Sequence, residues 1–380
     1  MKIKNLTYVD NIQEWELSSI DFDNLTLLVG ISGAGKTQIL NSILSLKDIA
    51  SGESKNGVKW SIEFIDDKNT YKWEGEFESI EGTIDEMFSF SEEDEVKSKL
   101  KSETISTNGK VVAKRNSTEI TFQKKKMPKL AFDESIINLF KEEDSIKSIY
   151  DGFKKIVFRD HTRKEGAFNR FPFSDLKSNI SKYKTLDDIR ESQLDTHQKL
   201  ACLYENQKSD FEEIVDRYID VFPHIEKVKM EPLKNENIHS FFKEVPILQF
   251  KERGLDKWIY ENRMSSGMIR TFVHISEMFL LSAGTLVLID EFENSLGVNC
   301  IDVLTEDLIF ENNRLQFIVT SHHPYIINKI PYEYWKIVSR TQGKIETFDA
   351  KDYKLGSSNH DAFMNLINLP SFKTGVERPL

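Results

Sequence analysis

The sequence predicts an α/β fold in which a parallel sheet carries a loop-and-helix unit, with an antiparallel β lobe and a helical insertion attached. Three observations predict it. The continuously apolar run LTLLV, residues 25–29, leads directly into the glycine-rich stretch GISGAGKT of Gly30–Thr37, and a strand apolar on both faces belongs in the buried middle of a parallel sheet. Two further apolar runs, TLVLID at 285–290 and LQFIVTS at 315–321, repeat that pattern late in the chain. Between these ends the periodicity is first of the strand kind and then of the helix kind.

Taken in order, KIKNLTYV alternates as a strand and LTLLVG follows as the buried one. After the glycine stretch, Ile39, Leu40, Ile43 and Leu44 fall on one face of a helix. From about Lys59 to Lys129 the chain is β-rich: WSIEFIDDKNTYKWEGEF reads as a hairpin, GKVVAKRNSTEITFQKKKMPKL as another, and the acidic SEEDE lies between them. DESIINLFKEEDSIKSIYDGFKKIVF turns helical. TLDDIRESQLDTHQKLACLYENQKSDFEEIVDRYIDVF is a helical pair, or one long helix broken near Lys208. No heptad repeat is sustained there, which predicts a compact insertion rather than a coiled-coil arm. FFKEVPILQFKERGLDKWIYE returns to strands, a helix follows MSSG, YWKIVSRTQGKIETF reads as a hairpin, and NHDAFMNLINLPSF as a short helix and tail. The expected division is therefore 1–165 as the first half of a head, 166–245 as the helical insertion and 246–380 as the second half.

With 380 residues, 39% of them hydrophobic, the chain can bury a full core. A net charge of -11 argues against nucleic-acid capture by the whole surface. The one candidate surface for DNA is local, Lys114, Arg115, Lys124, Lys125, Lys126 and Lys129, and without interleaved aromatics it reads equally as a solvated hairpin face. Cys202 and Cys300 have no metal-ligand spacing and read as buried small hydrophobes in a reducing compartment. MKIKNLTYVDNIQEW is not a signal peptide, and MFLLSAGTLVLI, broken by Ser282 and Gly284, is too short to span a bilayer. A cytoplasmic protein with no membrane partner is expected.

The glycine stretch has the chemistry of a phosphate loop. Gly33 and Gly35 let backbone N–H groups turn inward around phosphates, and the helix N-terminus adds positive potential. Lys36 would reach the β and γ phosphates, and Thr37 would place its hydroxyl on magnesium. At the end of the later strand, Asp290 can hold that magnesium and Glu291 can poise water for attack, unless DEFE merely opens a loop with solvated acids. MSSGMIR, Met264–Arg270, puts Ser265, Ser266 and Gly267 at a helix start, as an anion site or as a simple cap.

In chain order, GISGAGKT, MSSGM, LVLIDE, ENSLG and TSHHP resemble the motifs of an ABC-type ATPase of the RecF and SMC-like branch. They are similar too to the ATPase subunits of prokaryotic anti-phage defence systems of the Gabija, Septu and PARIS type. The resemblance implies a P-loop NTPase fold of ABC ATPase type, with ATP and Mg2+ as cofactors and ATP hydrolysis as the activity. It assigns the nucleotide to Gly30, Ser32, Gly33, Ala34, Gly35, Lys36 and Thr37, the metal to Thr37 and Asp290, and catalysis to Lys36, Glu291 and the switch histidine His322. It also implies a homodimer or higher oligomer, in which Ser265, Ser266 and Gly267 of one chain meet the γ phosphate held by the other, with Asn294 and Ser295 across the seam.

Departures from the family pattern are Met268, where a glutamine or glutamate is usual, and Gly297, where an aspartate or histidine is; both could slow hydrolysis. In KLAFDESII, Glu134 would replace the family's loop glutamine, or Asp133 and Glu134 simply cap the next helix. The segment from about Phe173 to Phe222 sits where this branch attaches coiled coils or partner-binding lids. About sixty residues follow His322, too few for a nuclease domain. The expected role is a sensor or regulatory subunit controlling a separate effector, a nuclease or toxin. The alternative is a DNA-repair ATPase that binds DNA directly through Lys114 to Lys129, and a transporter ATPase is a third.

Overall fold

Leu25–Val29 forms the expected strand, and all five of its residues are buried. In the computed structural model, residues 1–66, 68–80, 97–160, 176–232, 245–294, 297–353, 358–369 and 372 are described; the acidic SEEDE stretch and residues 370 and 371 and 373–380 lie outside them. The described chain divides into two compact units, one of Met1–Asp160, Gly284–Phe292 and Asn312–Leu380, the other of His161–Ala283 and Glu293–Glu311. The MSSG segment thus groups with the helices ahead of it, whereas the sequence division joined it to the second half of the head.

In the first unit the elements are β1 (Lys2–Asp10), β2 (Trp15–Asp21), β3 (Leu25–Val29), α1 (Lys36–Ala50), β4 (Val58–Asp66), β5 (Asn69–Phe77), β6 (Leu100–Thr107), β7 (Lys110–Asn116), β8 (Ile120–Phe122), β9 (Lys125–Lys126), α2 (Ile136–Leu139), α3 (Asp144–Lys154) and β10 (Ile156–Asp160). In the second they are α4 (Leu176–Lys182), α5 (Leu186–Glu191), α6 (Thr196–Asn206), α7 (Lys208–Val221), β11 (Ile225–Pro232), β12 (Pro246–Glu252), β13 (Trp258–Tyr260) and α8 (Ser266–Leu280). The chain returns to the first unit for β14 (Leu286–Asp290) and to the second for α9 (Val298–Glu311). It ends in the first with β15 (Gln316–Thr320), α10 (Pro324–Lys329), β16 (Trp335–Thr341), β17 (Lys344–Asp349) and α11 (Asn359–Leu366).

Among the described residues the first unit has one sheet of 14 strands, ordered β10-β14-β15-β3-β16-β17-β2-β1-β4-β5-β6-β7-β8-β9. From β10 to β16 every pairing is parallel. The β16–β17 hairpin reverses direction. β17 then runs parallel to β2 through Lys344↔Glu16 and Ile345↔Leu17, and the strands beyond are antiparallel. The antiparallel lobe is therefore a hydrogen-bonded continuation of the parallel core. Its interior is aromatic: Trp73 meets Phe153 edge-on at 5.1 Å and Trp60 at 5.0 Å, and the Trp73 indole N–H donates to the buried Glu103 carboxylate at 2.8 Å.

Three sequence expectations change. Ile156–Asp160, read as helical, is an edge strand parallel to β14; α3 ends at Lys154, and Ile156, Val157 and Phe158 favour extended backbone. Strand β11, whose buried Ile225, Val228 and Met230 are separated by charged residues, has no counterpart among the expected elements. Asp133 and Glu134 do not cap α2. Ser135 does, its hydroxyl accepting from the Ile137 N–H, while Glu134 accepts from the Asn138 amide at 2.6 Å and Asp133 faces the Lys97 ammonium at 3.4 Å.

The break expected near Lys208 falls at Gln207, between α6 and α7. In the second unit, Tyr218 of α7 packs edge-on against Phe272 of α8 at 5.2 Å, and Arg217 pairs with the buried Asp307 of α9. Cys202 and Cys300 are both buried, and no disulfide joins them. Among the described residues no helix is long and apolar enough to cross a membrane.

Candidate nucleotide site

Parallel register aligns the carboxyl ends of β3, β15 and β14: Leu28 pairs with Thr320, and Val319 with Ile289. Everything that follows those strands emerges on one edge of the sheet, where open α/β sheets bind ligands. The loop after β3 reaches helix α1 by way of Gly33 and Gly35, both left-handed, at φ of 82° and 102°. At Gly35 a side chain is excluded twice over, because a Cβ would stand 2.5 Å from the Ile345 side chain of β17. Gly30 is required for closeness alone, since a Cβ there would lie 2.6 Å from the Val338 carbonyl oxygen.

Lys36 opens α1 and is only 5% exposed. Its ammonium curls back into the loop, donating to the carbonyls of Gly30 at 2.8 Å and Ile31 at 2.9 Å. Ser32 and Gly33 are exposed on the loop, and Ala34 is buried beneath it. The exposed Thr37 donates its hydroxyl to Asp290 Oδ2 at 2.9 Å. That bond joins two segments more than two hundred residues apart, and its two oxygens are hard donors of the kind Mg2+ takes alongside phosphate oxygens.

Beyond Asp290 the backbone turns sharply. Glu291 has a positive φ of 49°, a conformation a non-glycine residue holds only when its surroundings fix it. Its N–H donates to Thr320 Oγ1 at 2.8 Å, and the Phe292 N–H to the Thr320 carbonyl at 3.0 Å. The Thr320 hydroxyl donates in turn to Asp290 Oδ1 at 2.6 Å. Phe292, fully buried, pins the turn. His322 is exposed two residues past β15. His323, without an expected role, caps α10, its Nδ1 accepting from the Tyr325 N–H at 3.3 Å.

The structure thus brings Lys36, Thr37, Asp290 and Glu291 to one edge of the first unit. Thr320 belongs with them; it opens the quoted TSHHP stretch, but sequence reasoning gave a role there only to His322. Ser265, Ser266, Gly267 and Asn294 belong to the second unit, and Ser295 lies outside the described residues. Ser265 is the N-cap of α8, its hydroxyl accepting from the Met268 N–H at 3.3 Å, and both serines are exposed. The Arg270 guanidinium donates to the Asn294 carbonyl at 3.4 Å, tying the helix start to the ENSLG turn.

Just ahead of that helix, Glu261 is pushed up to about 8 by burial, which the N–H of Leu248 only partly offsets. Its Oε2 has no hydrogen-bond partner among the described residues. A folded pKa above the unfolded one means the protonated carboxyl's contribution to stability is complete below the ordinary glutamate value and lost as pH rises toward 8. Glu261→Gln, neutral throughout, should abolish that fall, on the order of 3 kcal/mol between pH 5 and pH 8. Urea unfolding at the two pH values checks it.

The basic patch is smaller than the sequence implied. Arg115 is 1% exposed, its guanidinium donating to the carbonyls of Glu134 and Ala131 and lying over the Phe132 ring. Lys126 pairs with Glu119. Lys114, Lys124, Lys125 and Lys129 remain exposed.

A strand, glycine loop and helix whose threonine meets a strand-end aspartate define a P-loop ATPase fold. The chain belongs to the family described as "AAA domain, putative AbiEii toxin, Type IV TA system", which matches residues 25–328. Its fold is that of SMC heads. An SMC head crystallised with the C-winged helix domain of ScpA is 14% identical, covering 92% of this chain and 98% of that one, with a TM-score of 0.50. The SMC head domain from Thermotoga maritima is also 14% identical, covering 92% and 99%, at 0.44. The Smc head from Pyrococcus furiosus, with an extended coiled coil and bound to the C-terminal domain of ScpA, is 13% identical, covering 93% and 97%, at 0.47. No curated protein matches the sequence.

Proposed function

We propose that the chain binds and hydrolyses ATP with Mg2+ where the phosphate loop meets Asp290, and that two copies close on the nucleotide. The reading is supported above all by the Thr37–Asp290 hydrogen bond, which joins the loop to the acids that hydrolysis needs. The Lys36 ammonium exchanges the carbonyls of Gly30 and Ile31 for phosphate oxygens, while the N–H groups of Gly33, Ala34 and Gly35 line the loop. Thr37 and Asp290 hold the metal, whose part is to neutralise phosphate charge. Glu291 accepts the proton of the attacking water, and His322 senses the γ phosphate. Ser265, Ser266 and Gly267 of the facing copy complete the anion site, with Asn294 and Ser295 along the seam.

For its biological role we propose a cytoplasmic sensor or regulatory ATPase that controls a separate effector, a nuclease or toxin, in an anti-phage defence system. The matching family's description, which names a toxin and a type IV TA system, supports the link to a toxin system. The SMC head of similar fold that carries a bound ScpA domain supports a separate partner, since such a head can present a docking face for another protein. Direct DNA binding through Lys114 to Lys129 is disfavoured, because Arg115 is spent inside the lobe and Lys126 is paired.

Light scattering on Glu291→Gln, with and without ATP and Mg2+, tests the closure. Mass should double only with both. A dimer already present without ATP, or a mass that never changes, would sink the nucleotide-closed pair.

A further inference from the structure

We propose that Thr320 is the positioning residue of the hydrolytic site, holding both the Asp290 side chain and the Glu291 backbone through one hydroxyl. The inference rests on the ATPase reading above.

Thr320 is the last residue of β15 and 1% exposed. Its Oγ1 uses its hydrogen on Asp290 Oδ1 at 2.6 Å and a lone pair on the Glu291 N–H at 2.8 Å. Its carbonyl accepts from the Phe292 N–H at 3.0 Å. One residue therefore engages three consecutive positions, the last residue of β14 and the two that follow it. Asp290 is held from both sides, by Thr320 on one oxygen and Thr37 on the other, which fixes the rotation of the carboxylate. At Glu291 the hydroxyl stabilises a φ of 49° that the backbone would otherwise abandon. A glutamate leaving that conformation carries its carboxylate away from the edge where the phosphate loop ends. Beyond the strand the chain passes through Ser321 to His322, so anchoring Thr320 also anchors the segment that carries the switch histidine.

Valine has nearly the shape of threonine but neither donates nor accepts. Thr320→Val in the full chain should lower kcat about 10- to 100-fold, the scale of losing hydrogen bonds to a charged group and to the turn it fixes. The ATP dissociation constant by calorimetry and KM should stay within about twofold, because the phosphate loop is untouched. Thr320→Ser, which keeps the hydroxyl, should return kcat to within about threefold of the unmodified protein. If the valine variant does not fold, Thr320→Ala supplies the same comparison. A Thr320→Val protein with unaltered kcat overturns the inference and leaves the ATPase reading standing. Equal losses of kcat and ATP affinity also overturn it, marking the residue as a support of the whole edge. An unmodified protein that binds ATP without hydrolysing it overturns the ATPase reading and this inference together.

Discussion

Glu291→Gln is expected to slow ATP hydrolysis by about 10²- to 10⁴-fold, the range that a positioned general base supplies, while leaving ATP affinity within about threefold. The substitution keeps size and hydrogen-bonding shape but cannot take a proton. The residue's place is fixed by backbone, through its N–H on Thr320 and the buried Phe292 that follows, so the amide should sit where the carboxylate sat. Single-turnover hydrolysis and a calorimetric titration on the same sample separate the two quantities. A hydrolysis rate within a few-fold of the unmodified protein would remove Glu291 from the chemistry.

Lys36→Ala should have the opposite signature, weakening ATP binding by about 100-fold or more, since charge-assisted bonds to phosphate are the strong ones. The ammonium is buried in a hollow of carbonyl oxygens that attract a cation and repel phosphate. Without it the loop presents the nucleotide with that repulsion uncompensated. Lys36→Arg should not rescue binding, because the side chain is buried and its compact ammonium sits between the Gly30 and Ile31 carbonyls, a setting that a wider planar guanidinium does not match. ATP titration of both variants decides; retained affinity in Lys36→Ala would place the nucleotide elsewhere.

What the sequence disclosed follows from how local each signal is. Leu25–Val29 and Leu286–Asp290 were legible because strands buried on both faces leave continuous apolar runs. The two lobe hairpins showed through alternation and turn residues. β10 was hidden because five residues directly after a helix are too few to reveal a period, and its strand character comes from pairing with β14. Arg115 looked like surface charge; only the fold shows that its neighbours are backbone carbonyls and an aromatic ring. The motif residues Lys36, Thr37, Asp290 and Glu291 carry their chemistry in their identity, so the sequence alone could nominate them. Thr320 does not. A threonine at a strand end becomes informative only when the parallel register sets it beside Asp290.

The neighbours of β3 bear on how the molecule comes into being. The strand that launches the phosphate loop has β15 on one side and β16 on the other, both from the last quarter of the chain. On the ribosome its five residues, four of them apolar, emerge long before either partner exists. The lobe strands β4 to β9, which pair with close neighbours in sequence, can form while synthesis continues, whereas the nucleotide edge must wait until β15 and β16 have been made. A nascent chain of this protein therefore carries an unpaired, aggregation-prone strand until β15 and β16 emerge. That makes the parallel core the late, slow step of folding and the natural point for a chaperone to act.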